Sequence, residues 1–182
     1  MKKAVAVLVA SAAVLSMAAC SATRTQRSAG EQIDDAAILT SVKSKLVADK
    51  TTDAGDINVD VNRGVVKLSG FVDSAEQKSQ AASIARNVDG VTSVQNDLAV
   101  KKGDGSTAGE VVDDSVLTAK VKAALIADSS TKAHQINVET NQGVVQLSGF
   151  VDNAAAKTAA ADVAKSVTGV KDVKNELSVK SY

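Results

Sequence analysis

The chain has 182 residues, and its 21 basic and 21 acidic side chains give a formal net charge of zero. A single His and a single Cys exclude a His/Cys metal cluster and a disulfide framework. Balanced charge and 2% aromatic content argue against nucleic-acid binding through a basic or base-stacking surface. The inventory favours a protein with an aliphatic core that is not an enzyme and uses no cofactor.

Residues 1–19 have the layout of an export signal. Two lysines open the segment, an apolar run over 4–15 follows, and two alanines precede Cys20. The run is shorter than the roughly 20 residues that a transmembrane helix needs. We therefore expect a signal helix that is removed from the mature chain.

The segment MAAC over 17–20 resembles the lipobox of bacterial lipoproteins. The resemblance implies cleavage before Cys20 and acylation of its thiol and new amino group, which would anchor the chain because each buried methylene contributes about 0.8 kcal/mol. Ser21, rather than Asp, then favours the periplasmic leaflet of the outer membrane. The alternative is ordinary signal cleavage near Ala19, which leaves Cys20 as a stray thiol in a protein soluble in the periplasm.

The chain repeats itself. Residues 34–101 align with 113–180 at a constant offset of 79 without a gap, and about half of the positions are identical. The clearest block is GVVKLSGFVD over 64–73 against GVVQLSGFVD over 143–152. A repeat of this kind indicates two copies of one structural unit.

The repeat divides the mature chain into predicted parts. A polar tether covers 20–32, one domain covers 33–101 and a second covers 112–180. Between the domains, residues 102–111 contain three glycines and a serine, a composition typical of a flexible linker.

Each repeat begins with a predicted helix. Ile38, Val42 and Leu46 are spaced four residues apart, as on one helix face. The acidic pair Asp34-Asp35 precedes this pattern and is expected to cap the helix N-terminus. The second repeat has the same arrangement in Asp113, Asp114, Leu117, Val121 and Leu125.

A hairpin, a second helix and a third strand are predicted to follow. Alternating apolar residues over 57–61 and 66–68 flank a turn at Gly64, which is free to take positive φ. Asp73 with Glu76 resembles a capping box for an alanine-rich helix, and alternation over 94–100 predicts the last strand. The order αββαβ in both copies predicts two tandem two-layer α+β sandwiches.

These elements carry a family resemblance. The segment DDSVLTAKVKAALIAD over 113–128, the strand INV at 57–59 and 136–138, and the GVVxLSGFV arm resemble the BON domain. The layout of an export signal and two such units is similar to dual-BON envelope proteins. The resemblance implies the αββαβ fold and a non-catalytic role in binding phospholipid surfaces and maintaining the envelope under osmotic stress.

Few residues qualify as functional candidates, and none is catalytic or metal-binding. His134 lies in a loop where the other repeat has Gly55, and no partner for it is recognisable. Phe71 and Phe150 share one repeat position and are expected to pack in the core or between domains.

The first helix of the second repeat is the expected lipid contact. Val116 and Lys120 are four residues apart and share a helix side, and together with Lys122 they form the candidate lipid-binding set. The second repeat has 8 basic and 8 acidic residues, against 8 and 10 in the first, which favours it for anionic phospholipid. The alternative for these residues is an ordinary solvated helix face.

Two functions remain open from the sequence. The first is a lipid-anchored, non-enzymatic envelope protein that binds phospholipid. The second is a chaperone-like or scaffold protein that binds other envelope proteins in the periplasm. The sequence leaves the oligomeric state open.

Overall fold

The structure, a computed structural model, describes residues 29–101 and 108–181. The predicted signal helix, Cys20 and most of the tether and linker lie outside these residues. No helix in the described part of the chain is long and apolar enough to cross a membrane.

The described chain contains two αββαβ units in tandem, as predicted. The first unit contains α1 (Ala29–Ala48), β1 (Ile57–Asn62), β2 (Val65–Val72), α2 (Ala75–Arg86) and β3 (Ser93–Val100). The second contains α3 (Ala108–Ala127), β4 (Ile136–Asn141), β5 (Val144–Val151), α4 (Ala154–Ser166) and β6 (Asp172–Val179). A short 3-10 turn precedes the first strand of each unit.

Each unit is a three-stranded sheet with two helices on one face. The central strand, β2 or β5, pairs antiparallel with the strand before it and parallel with the strand after α2 or α4. Period-2 alternation turns Val66, Leu68 and Val72 toward the helices, where they join Val42 and Leu46 in an aliphatic core. The second unit repeats this core at the equivalent positions.

The first helices begin earlier than predicted, so the expected capping role of the acidic pairs is wrong. α1 starts at Ala29 and α3 at Ala108, which places Asp34 and Asp113 inside the helices and extends both helices into the stretches predicted as tether and linker. The chain has no proline that would stop a helix at these points.

The second aspartate of each pair holds the hairpin turn instead. Asp35 accepts hydrogen bonds from the backbone N–H groups of Arg63 and Gly64, both at 2.8 Å. Asp114 does the same for Gln142 and Gly143 at 2.6 and 2.8 Å. The carboxylate therefore ties the first helix of each unit to a turn 28 residues away.

The hairpin turn confirms the predicted positive φ of Gly64 and adds a second residue. Arg63 has φ 54° and Gly64 has φ 75°, and Gln142 and Gly143 match them at 52° and 80°. Two successive residues with positive φ are typical of a type I′ turn, whose twist matches that of the flanking strands.

The N-cap of the second helix is also one residue later than predicted. Ser74, not Asp73, is the N-cap of α2, and its hydroxyl accepts from the N–H of Gln77 at 3.1 Å. Gln77 in turn accepts from the N–H of Asp73 at 2.8 Å. The carboxylate of Asp73 is engaged elsewhere, in an ion pair with Lys101 at 2.9 Å.

The two sheets pack against each other through their outer faces, the faces opposite the helices. The hydroxyls of Ser69 and Ser148, which occupy the same repeat position, lie 2.6 Å apart. The structure therefore has four layers, in the order helices, sheet, sheet, helices. We refer to the contact between the outer faces as the polar interface.

Candidate functional site

The predicted lipid-binding residues lie on the exposed side of α3. Val116 is 47% exposed, and Lys120 and Lys122 are also exposed. Val116 and Lys120 line one cleft together, whereas Lys122 lies outside it. The structure thus brings two of the three candidates into one site.

This cleft lies where α3, the β4–β5 turn and the loop before β6 meet. Its volume is about 270 Å³, and Leu117, Gln142 and Gly169 contribute to its lining. We call it the α3 cleft. The hydrogen bonds from the turn to Asp114 hold this wall of the cleft against α3.

Lys171 is a second basic residue of the α3 cleft that the sequence interpretation missed. Its backbone N–H donates to the carbonyl of Gly143 at 2.8 Å. Its aliphatic stem lies over Gly143, where an added Cβ would come within 2.9 Å of it. Among the described residues neither Lys120 nor Lys171 forms an ion pair, although the carboxylates of Asp113 and Asp114 line the same cleft.

The first repeat has an equivalent cleft that is more acidic. Its volume is about 670 Å³, and three carboxylates and one guanidinium line it. Two carboxylates, those of Asp113 and Asp114, and two ammonium groups line the α3 cleft. Ser41 and Thr92 stand in the places of Lys120 and Lys171, and Asp89 stands in the place of Thr168. The lining charges therefore sum to zero in the α3 cleft and to −2 in the cleft of the first repeat, so an anion is less strongly disfavoured in the second repeat than in the first.

The exposed stripes of the two helices differ in the same direction. Along α3 the stripe is mostly apolar and includes two alanines at its centre; its residues are Val116, Ala119, Lys120, Ala123, Ile126 and Ala127. Along α1 the central positions are Thr40, Ser41 and Ser44. We call the set on α3 the α3 stripe. An apolar stripe with lysine is suited to the boundary of a lipid headgroup layer.

The remaining candidates have structural surroundings. His134 is exposed in the 3-10 turn Ala133–Gln135. Phe71 is buried on the outer face of its sheet, on the side of the polar interface and outside the helix-covered core. In the described part of the chain, no group of three His, Cys, Asp or Glu side chains could hold a metal ion.

Comparison with curated proteins finds relatives that match most of this chain. The chain is 42% identical over 151 residues to osmotically-inducible protein Y of Escherichia coli, covering 83% of this chain and 75% of that protein. It is 34% identical over 148 residues to the outer membrane lipoprotein DolP of Haemophilus influenzae and to the 21 kDa hemolysin of Actinobacillus pleuropneumoniae, each time over 81% of this chain and 75% of the relative.

The family match coincides with the two sandwiches. The BON domain model matches residues 34–102 and 113–181. These ranges include the acidic pair, the hairpin and the last strand of each unit, which are the segments that carry the resemblance in the sequence. The chain therefore belongs to the BON domain family and contains two copies of the domain.

Proposed function

We propose that this chain is a non-enzymatic protein of the cell envelope whose second BON domain contacts an anionic phospholipid surface through α3. The observation that carries the proposal is the difference between the repeats at the centre of the stripe, where α3 has Ala119, Lys120 and Ala123 and the matching residues on α1 all bear hydroxyl groups. Relatives named as osmotically inducible and as an outer membrane lipoprotein support a role in the envelope under osmotic stress.

Charge and apolar contact act together in this proposal. Lys120 and Lys171 would meet lipid phosphates, and each lysine near an anionic surface contributes on the order of 1 kcal/mol. Val116 and Ile126, exposed to 47% and 74%, would enter the headgroup layer. A membrane anchor raises the effective concentration at the surface, so a weak domain contact is sufficient.

Co-sedimentation of the 21–182 fragment with vesicles tests the lipid contact. We expect pelleting with vesicles that contain anionic phospholipid and little with zwitterionic ones. Lys120→Ser and Lys171→Thr, which install the residues of the first repeat, should each weaken binding about fivefold.

Lys43→Ser is the matched control, because Lys43 holds the α1 position that corresponds to Lys122 and lies outside the first repeat's cleft. Pelleting that does not depend on anionic lipid, or that is reduced as much by Lys43→Ser as by Lys120→Ser, would contradict the contact through α3.

The proposed anchor is an acylated Cys20, which would hold the protein at the periplasmic leaflet of the outer membrane. Mass spectrometry of the mature N-terminus tests it directly. An acylated cysteine as the first residue is expected, whereas an unmodified mature chain would assign the protein to the soluble periplasm.

A second candidate function is binding to other envelope proteins. Val47 and Ile126 occupy the same repeat position near the ends of α1 and α3, and both are 74% exposed. Each of these side chains would offer one apolar contact, on its own helical layer, to an unfolded or partner protein. Suppression of client aggregation without lipid, lost in Val47→Ser/Ile126→Ser, would favour this function over the first.

A further inference from the structure

The polar interface has a pseudo-two-fold axis at the Ser69–Ser148 contact. On one side Asn58 donates to the Glu139 carboxylate at 3.1 Å, and on the other Asn137 donates to the Asp60 carboxylate at 2.8 Å. Since each contact is the repeat equivalent of the other, the arrangement is that of a symmetric dimer interface. Such an interface raises the question of why unlike repeats, and not two like repeats, pair.

The symmetry breaks at one buried position. Lys67 of β2 and Gln146 of β5 share a repeat position, and both are 2% exposed. They are also the single difference between the blocks GVVKLSGFVD and GVVQLSGFVD. The position that distinguishes the two central strands therefore lies in the contact between the domains.

Lys67 satisfies its charge within this interface. Its ammonium forms an ion pair with Asp97 of the same domain. It also donates to the hydroxyl of Ser178 in the other domain at 3.1 Å. One lysine is thus accommodated by one carboxylate and one neutral acceptor from across the interface.

Gln146 makes a different use of the same position. Its side-chain oxygen accepts from the backbone N–H of Gly70 at 2.8 Å, and its side-chain nitrogen donates to the carbonyl of Asp97 at 2.6 Å. Both bonds cross to the first domain. The first domain therefore presents a donor and an acceptor that an amide matches with its two ends.

A second first repeat cannot supply this match. In a pairing of two first domains, Lys67 of the partner would stand where Gln146 stands. Lysine has three donors and no acceptor, so the Gly70 N–H would lose its partner, and a second ammonium would be buried beside Lys67. Unsatisfied buried donors and added buried charges both disfavour association.

We propose that the Lys67–Gln146 difference is a specificity determinant that restricts docking to unlike repeats. The outer face of the first domain accepts a BON sheet that carries an amide at this position, which its own chain provides, and rejects a second copy of itself. Specificity of this kind rests on what is unfavourable in the wrong complex as well as on contacts in the right one.

Disulfide trapping across the axis tests the proposal in the full chain. Cys20→Ala removes the only thiol, and Ser69→Cys/Ser148→Cys then places one thiol on each side of the axis. We expect rapid oxidation to an intramolecular disulfide without covalent dimers. Adding Gln146→Lys should slow this oxidation by about tenfold or more, because a like charge and an unpaired donor disfavour docking.

The rescue variant transfers the lysine to the other repeat. Lys67→Gln/Ala99→Ser/Gln146→Lys/Lys174→Gln puts the amide in the first domain and the lysine near Glu176, the equivalent of Asp97. Ala99 is changed because it holds the position of Ser178, whose hydroxyl accepts from the Lys67 ammonium across the interface. Lys174 is changed with them because it holds the position of Gln95, whose side-chain oxygen lies 3.5 Å from the Lys67 ammonium. By the pseudo-symmetry, we expect the oxidation rate to return to within a few-fold of the parent.

Two controls exclude a general effect of an added lysine and a loss of fold. Gln142→Lys makes the same change on the hairpin turn of the second domain, where the first has Arg63, and should leave the rate unchanged. Circular dichroism establishes that each variant is folded. An unchanged rate in Gln146→Lys, or a folded rescue variant that stays slow, would overturn the proposal.

Rejection of like repeats is measured separately. Ser69→Cys/Gln146→Lys, again without Cys20, leaves the first domain free to meet a second copy. We expect no covalent dimer. Covalent dimers that form through Cys at position 69 as fast as in the same variant with Lys67→Gln added, at equal protein concentration, would show that Lys67 does not exclude a second first domain.

Discussion

Asp49 and its counterpart Asp128 close the turn that follows the first helix of each domain. Asp49 accepts from the Thr51 hydroxyl at 2.5 Å and from the Gln80 amide at 3.0 Å. These hydrogen bonds, that from Thr51 first, lower the pKa of Asp49 to about 2. Because the folded pKa lies below the ordinary value of 3.8, this stabilisation is present above about pH 4 and is lost as the pH falls toward 2.

Asp49→Asn should therefore reduce the loss of thermal stability that occurs when the pH falls from about 4 to 2. We expect the variant to have a lower thermal midpoint than the parent at neutral pH and a smaller further loss between about pH 4 and pH 2. Asp128→Asn is the comparison, since hydrogen bonds from Ser130 lower the pKa of that carboxyl as well but Ala159 replaces Gln80. Thermal melts of both variants over this pH range measure the effect. An equal loss of stability in the parent and in Asp49→Asn would contradict the stabilising role of the Asp49 carboxylate.

Asp60 in the polar interface behaves in the opposite way. Burial raises its pKa, against the hydrogen bond from Asn137 that lowers it. A raised folded pKa means that the group favours the docked fold most when protonated, below the ordinary 3.8, and that this contribution is lost as the pH rises through the folded pKa.

Asp60→Asn should keep the contact with Asn137, because an amide oxygen accepts as a carboxylate does. We expect equal or higher thermal stability at neutral pH and no gain from Asp60 on mild acidification. Melting curves of parent and variant between about pH 3 and pH 7 measure the difference. A marked loss of stability at neutral pH would show that the negative charge itself is needed.

Residue-scale predictions from the sequence were right where the cause is local. Gly64 was predicted to take positive φ because the turn sequence requires it. Asp35 was assigned to its own helix, whereas its carboxylate serves a turn 28 residues away. Acidic pairs near a helix start are common in either role, so only the long-range contact distinguishes them.

Gly70 shows how one backbone position shapes an element. It has φ 124°, and a Cβ there would overlap the carbonyl oxygen of Asp56. The close approach joins the centre of β2 to the turn before β1. Gly149 repeats it with Gln135 at φ 122°, so neither domain can carry a side chain at this point.

Gly70→Ala should destabilise the first domain on the order of 3 kcal/mol, from backbone strain and steric overlap together. Gly55→Ala is the matched control, since the nearest atom to its Cβ would be the Asp53 carboxylate at an ordinary 3.4 Å. Denaturant unfolding of both variants measures the difference. Similar unfolding midpoints for the two would contradict the close approach at Gly70.

Elements were predictable to the extent that their pattern is periodic. The alternation of β1 and β2 and the four-residue spacing of Ile38, Val42 and Leu46 carry enough burial to fix type and facing side. The starts of the first helices were not predictable, because the polar residues before Asp34 fit a tether and a first helical turn equally well. The cap of α2 moved by one residue for a similar reason, as Asp73 and Ser74 are both good N-caps.

At the scale of the whole molecule, the polar interface could not be predicted from the sequence. Asn58, Lys67 and Ser69 alternate with apolar neighbours, which normally predicts a solvent-exposed sheet face. Their burial depends on a second face with complementary donors and acceptors, 79 residues away. The Lys67–Gln146 difference was visible in the aligned blocks, but its meaning requires knowing that both side chains are covered.

For the whole molecule, we expect the second domain and not the first to contact lipid. If the second domain contacts lipid, hydrogen–deuterium exchange with anionic vesicles should slow in α3 and in the loop that contains Lys171, and stay unchanged in α1. Zwitterionic vesicles serve as the control. Equal protection of α1 and α3 would indicate that the repeat difference in charge and exposed apolar surface does not select the membrane-facing domain.

The packing of the sheets through their outer faces has a consequence for geometry at a bilayer. Each sheet carries its helices on the side turned away from the other domain, so the two helical layers lie on opposite sides of the molecule. A flat membrane beneath α3 leaves α1 and α2 turned toward the aqueous compartment, with the acidic cleft around Asp34 and Asp89 uncovered. In this orientation, a ligand that binds at α1 and α2 would not compete with lipid that binds at α3.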